Sequence, residues 1–175
     1  NDINGGSIRC YVTHEENYLY NKSKDLKFIE KLINKERSIG IDKIEYYNSF
    51  SQNIKKIKKN LKKKITKLIK NNKKIYILGA STKGNTILQY LDIDSKMIQY
   101  AIERNKDKIG AETIGSKIKI IGESILKKNP PEFMLVLPWH FKKEILKREK
   151  NYIKNGGTLI FPLPKVHTIN NKNIK

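Results

Sequence analysis

Apolar residues along this chain fall into short uninterrupted runs and longer helical stripes, separated by glycines, prolines and lysines. Ile75-Tyr76-Ile77-Leu78 is such a run and stops at Gly79. A loop of small residues follows, then Ile87, Leu88 and Leu91 at helical spacing, then a second run from Ile98 to Ile102 that ends on Glu103-Arg104-Asn105. The order predicts strand, turn, helix, strand. Upstream, Ile8, Cys10 and Val12 alternate with polar neighbours over residues 7–14 and predict a strand, with Cys10 a small core residue. A helix is expected from about Ser23 to Arg37, with Ser23 as its cap, a stripe of Leu26, Ile29, Leu32 and Ile33, and Gly40 as its stop. Phe50, Ile54, Ile57, Leu61, Ile65, Leu68 and Ile69 mark a long amphipathic helix from about Tyr46 to Asn71. Because it runs straight into the strand at Ile75, it is expected to pack across the sheet, or else to serve as a hinge or arm.

The remainder alternates. Ile118 to Ile121 reads as a short strand, Glu123 to Lys127 as a brief helix, and Phe133 to Leu137 as a buried strand leading into Pro138-Trp139-His140. Lys142 to Lys154 reads as a helix stopped by Gly156-Gly157, and Thr158 to Phe161 as a final strand ending in Pro162-Leu163-Pro164. The tail after Val166 is polar and reads as frayed. The resulting fold class is α/β: a Rossmann-like, mostly parallel sheet with helices on both faces, preceded by an N-terminal strand and a long basic helix. Four segments follow: 1–45, a strand and helix; 46–73, the long helix; 74–166, the Rossmann-like core; and 167–175, the tail.

In such sheets a ligand lies beyond the carboxyl ends of the strands. The unusual residues gather there: Gly79-Ala80-Ser81-Thr82-Lys83, Glu103-Arg104-Asn105, Pro138-Trp139-His140-Phe141 and the Pro162-Pro164 turn. The glycine pattern is G-x-S-x-x-G. Ser81 places a β-carbon where dinucleotide binders need close approach to a pyrophosphate, which argues against tight NAD binding. Asn85-Thr86 replaces the Lys-Ser/Thr of a P-loop, which argues against ATP hydrolysis. Ser81, Thr82, Lys83 and Asn85 beside a helix N-terminus suit a phosphate or sugar hydroxyls, or else form an ordinary capped turn. Glu103 stands where an acidic residue grips ribose hydroxyls, or pairs with Arg104 or a lysine. His140 offers a general base or hydroxyl partner, or is a hydrogen-bonded surface residue. Trp139 offers a stacking face, or is buried.

Composition changes this picture little. The net charge is +20, but only four of the 37 basic residues are arginine. Eleven lysines lie between Ser51 and Lys74 with no acidic residue among them. Base-reading and bidentate phosphate contacts favour arginine, so a solvated helix face accounts for the run better than a nucleic-acid or membrane partner. Cys10 is the only cysteine and His14, His140 and His167 are scattered. No disulfide framework or metal spacing arises, and a cytoplasmic setting fits. No window is a membrane span. The chain starts at Asn1 rather than at methionine and reads as a piece of a longer protein.

Four segments in combination carry a family resemblance. They are Asn4-Gly5-Gly6-Ser7-Ile8-Arg9, the Gly79-to-Thr86 loop, Glu103-Arg104-Asn105-x-Asp107-Lys108-x-Gly110, and Leu135-x-Leu137-Pro138-Trp139-His140-Phe141. Together they resemble the C-terminal domain of S-adenosylmethionine-dependent sugar methyltransferases, the group that includes C-methyltransferases of nucleotide-linked deoxysugars. The resemblance covers nearly the whole chain. It implies that S-adenosylmethionine and most acid/base residues belong to a central domain outside this chain, that zinc belongs to an N-terminal segment, and that this domain closes over the nucleotide-sugar acceptor. Gly79, Ala80, Ser81, Thr82, Lys83, Asn85, Glu103, Asn105, Trp139 and His140 would then line the acceptor site, with His140 the candidate catalytic residue. The partners implied are that acceptor and the chain's own upstream domain, in surface-glycan or deoxysugar biosynthesis, and this piece alone would be inactive. Two positions depart from the family habit: His140 where many relatives have asparagine, and Glu103 where they have aspartate. The readings kept beside this one are a non-catalytic nucleotide or NAD module and a basic nucleic-acid-binding module.

Overall fold

A computed structural model of the chain describes residues 6–12, 14, 16, 22–124 and 129–174, with backbone only for 22–25. The chain divides into two compact units, Asn1–Lys55 and Lys56–Lys175.

The first unit holds α1 (Lys22–Ser38) and the opening half of α2 (Ile44–Lys70). α1 starts one residue before Ser23, so Ser23 lies within the helix rather than capping it. The turn after it uses Gly40 at φ +75°, a conformation open to glycine at little cost. The N-terminal strand expected over residues 7–14 is absent: residues 6–12 and His14 pair with no strand, and Thr13 lies outside the described residues, as do Asn4 and Gly5. Cys10 is accordingly exposed, not a core residue. Alternation over so few positions gives a strand only where a sheet edge receives it, and no strand pairing includes this segment.

The second unit is a six-stranded sheet in the order β3-β2-β1-β4-β5-β6. The strands are β1 (Ile75–Leu78), β2 (Tyr100–Glu103), β3 (Lys119–Gly122), β4 (Phe133–Val136), β5 (Thr158–Phe161) and β6 (His167–Ile169). The first five run parallel, and β6 pairs antiparallel with β5. The residues expected to form a frayed tail therefore supply an edge strand instead. Phe161 opposes His167, and the two rings stack at 5.2 Å, an attachment that local sequence does not announce. The central strand β1 is buried at all four positions because helices cover both faces of the sheet.

Alternate residues of the strands feed two cores. Ile75, Ile77, Ala101, Leu135 and Ile160 meet Leu61 and Ile65 of α2 and Leu88 of α3 (Thr82–Tyr90) on one face. Tyr76, Leu78, Ile102, Met134, Val136, Leu159 and Phe161 meet Ile145 and Ile153 on the other. Those two isoleucines belong to α4 (Lys142–Arg148) and α5 (Lys150–Lys154), into which the helix expected over 142–154 divides at the buried Glu149. The closing half of α2 packs on the sheet as its stripe requires. The helix expected over Glu123 to Lys127 falls largely on residues outside those described.

Candidate acceptor-binding site

Strand order reverses beside β1, where β2 lies on one side and β4 on the other. A doubly wound sheet opens its ligand crevice at such a point. Here the β1–α3 loop and the turn after β4 stand at that point, in close contact with each other. Gly79 sits at φ +84°, and a β-carbon there would lie 2.9 Å from Pro138 Cδ. A β-carbon on Gly84 would lie 2.6 Å from Leu137 Cδ1. Both glycines are thus required by close approach to β4's exit, whether or not a phosphate is bound. Ser81 caps α3: its backbone is extended and its hydroxyl accepts from Gly84 N–H at 3.1 Å. That accounts for a serine at the middle position of the glycine pattern.

Glu103 does something that its position alone does not reveal. Its Oε2 accepts from Ala80 N–H at 3.0 Å, and its Oε1 accepts from Arg104 N–H at 2.8 Å and Asn105 N–H at 3.1 Å. Lys108 Nζ donates to the Ala80 carbonyl at 3.1 Å. One segment after β2 therefore grips both backbone groups of the buried Ala80 and pins the β1 loop. Burial, the largest single influence on the Glu103 carboxyl, opposes its charge. The three N–H donors, with the Lys108 ammonium, outweigh burial and hold the pKa below the ordinary carboxylate value. With Oε1 saturated, the carboxylate retains a lone pair on Oε2 but has no free pair of oxygens for a vicinal diol. The ion pair of Arg104 is instead with Glu123, at 3.8 Å. Asn105 caps the 3-10 turn Lys106–Lys108 through its side chain, 3.0 Å from Asp107 N.

The turn Trp139–Phe141 brings the remaining candidates. Trp139 is partly buried against the core under α4 and α5, so its ring is in part a packing element. His140 stands edge-on to Trp139, with ring centroids 5.5 Å apart, and 4.3 Å from the Phe141 ring. Burial, and secondarily the charge of Lys83, lowers the pKa of His140, so its ring is neutral near pH 7. Two side-chain atoms, Asn85 Oδ1 and His140 Nδ1, are buried without a hydrogen-bond partner among the described residues. Native interiors rarely leave such atoms unsatisfied, and both lie on the segments that follow β1 and β4. Thr82 and Lys83 are exposed in the first turn of α3.

Sequence reasoning missed one feature at this end of the sheet. Lys142 Nζ lies 2.9 Å from His167 Nε2, and His167 Nδ1 lies 2.8 Å from the Lys165 carbonyl. The contact depends on β6, which the polar composition of the tail concealed. Among the described residues no group of three His, Cys, Asp or Glu side chains is placed to hold a metal, and no helix is long and apolar enough to cross a membrane.

These loops stand on a mostly parallel sheet of the doubly wound α/β class. The family described as C-methyltransferase C-terminal domain matches residues 2–164, and the chain belongs to that family. It is also similar to the C-methyltransferase NovU of Streptomyces niveus, with 25% identity over 173 residues. That match covers 96% of this chain and 39% of the relative, so the chain spans well under half the length of the protein it resembles.

Proposed function

We propose that the chain is the acceptor-side domain of an S-adenosylmethionine-dependent methyltransferase whose acceptor is a nucleotide-linked sugar. The observation that carries this reading is the pair of unpartnered atoms, Asn85 Oδ1 and His140 Nδ1, on the segments that follow β1 and β4. An amide oxygen takes a hydrogen bond from a ligand hydroxyl or N–H group. A neutral imidazole nitrogen accepts one, or donates one in the other tautomer, which suits a hydroxylated or keto ligand. The α3 N-terminus and Lys83 supply positive potential for phosphate. When bound, S-adenosylmethionine supplies an electrophilic methyl group. The residues here do not fit it well, because the carboxylate expected to grip its ribose is committed to the backbone of Ala80, Arg104 and Asn105. The same commitment weighs against the NAD-module reading. The donor is therefore assigned to another part of a longer polypeptide, and this domain's share is to bind, orient and shield the acceptor.

Asn85→Ala and His140→Ala in the longer polypeptide test the reading. Each is expected to raise the KM for acceptor about tenfold, the loss of one good hydrogen bond, and to leave S-adenosylhomocysteine affinity unchanged. An equal loss of S-adenosylhomocysteine binding overturns it. So does methyl transfer catalysed by this chain alone.

A further inference from the structure

α1 and the first half of α2 carry apolar side chains that remain about half exposed. On α1, Leu26, Ile29 and Ile33 follow helical spacing along one stripe and are 52%, 48% and 39% exposed. On α2, Tyr46, Tyr47 and Phe50 are 38%, 50% and 58% exposed. Further along α2, by contrast, Leu61 and Ile65 are fully buried on the sheet. Charge follows the same division. From Ile44 to Ile54 the helix has one charged residue, Glu45, whereas lysine dominates from Lys55 to Lys70. The α2 part of this zone, rich in tyrosine and phenylalanine and poor in charge, has the composition of an interface core, not of a solvated helix.

We infer that this face is the docking surface for the segment that precedes this domain within the same polypeptide, a conclusion that rests on the proposed reading of the chain as part of a longer methyltransferase. Two observations favour that occupant over a second copy. The chain matches a C-terminal domain and spans 39% of the NovU relative, so proteins of this kind carry a larger body of chain ahead of the domain. The half-exposed stripes lie on the first two helices, on the N-terminal side of the sheet in chain order. Covering them buries the aromatic anchors that dominate such contacts.

Hydroxyl-radical footprinting of the longer polypeptide and of this chain alone, both at low micromolar concentration, tests the inference. Tyr47 and Phe50 are expected to label several-fold more slowly in the longer polypeptide, and a Tyr47→Lys/Phe50→Lys double variant is expected to lose that protection at the neighbouring Tyr46. In this chain alone the double variant should melt as the parent does, because both side chains are exposed. Equal labelling in the two polypeptides overturns the inference. Protection in the isolated chain that disappears on dilution also overturns it, because a second copy is then the occupant. A natural polypeptide with no segment ahead of this domain overturns it as well. Labelling does not depend on turnover, so protection without acceptor binding would retain the docking surface and remove the acceptor-side reading.

Discussion

Replacing Glu103 with alanine removes the acceptor of three backbone N–H groups in one step. Arg104 N–H and Asn105 N–H are exposed, and water takes over most of their lost bonds, at about 0.5 kcal/mol each. Ala80 N–H is part-buried on a residue 6% exposed, and an unsatisfied donor there costs about 1–3 kcal/mol. The whole change is about 3 kcal/mol at neutral pH, which for a chain of this size lowers Tm by roughly 6–12 °C. Amide hydrogen exchange adds a local readout, in which Ala80 N–H loses protection before any ligand is added. The pH dependence has a definite sign. The folded-state pKa of Glu103 is depressed, so its stabilisation is fully present above the unfolded carboxyl value of about 4.3 and is lost as pH falls through the lower folded value. The gap between parent and Glu103→Ala should therefore be constant from pH 8 to about 5 and close below that. Glu103→Gln, which keeps one acceptor oxygen but turns an NH2 group toward one set of donors, should fall between. A Glu103→Ala protein that melts within about 1 °C of the parent at pH 7, with Ala80 exchange unchanged, would refute the clamp.

Other consequences follow from the same geometry. Gly84→Ala forces a methyl into contact with the fully buried Leu137 and should destabilise the domain by about 1–3 kcal/mol in urea titration. Ser81→Ala removes the α3 cap at a cost of about 1 kcal/mol, whereas Ser81→Asp, also a capping residue, should restore most of it. The folded-state pKa of His140 is lowered, so its contribution to stability is present above the ordinary imidazole value of about 6.5 and is lost as pH falls toward the folded value. His140→Asn should flatten that part of the stability-versus-pH curve. If His140→Asn leaves the slope between pH 6.5 and 5 unaltered, the buried neutral imidazole is excluded.

The parallel strands were legible because each is an uninterrupted apolar run with a breaker after it. β1 stops at Gly79 as read, and β4 leads into Pro138. The stripe of α2 also announced its seat on the sheet, since Leu61 and Ile65 occupy the positions its spacing marks. β6 was not legible. His167-Thr168-Ile169 is too short and too polar for periodicity to register, and it forms because β5 offers it an edge and Phe161 offers His167 a ring. The segment around Cys10 failed in the opposite way, since its alternation suits a strand but no sheet edge takes it up. At the site, the cap at Ser81 followed from residue type and spacing. The clamp by Glu103 did not, because its partners are backbone N–H groups common to every residue. The exposure of α1 could not be read either, since an amphipathic stripe specifies that a face is to be covered and not by what.

The central claim concerns which ligand this domain holds. Calorimetric titration of the chain with a thymidine-diphosphate sugar and, separately, with S-adenosylhomocysteine tests it most directly. The account predicts heat from the sugar nucleotide alone, with chemical-shift changes at Asn85 and His140. Binding of S-adenosylhomocysteine with no response to the sugar nucleotide would contradict it and would place the methyl donor on the Gly79 loop.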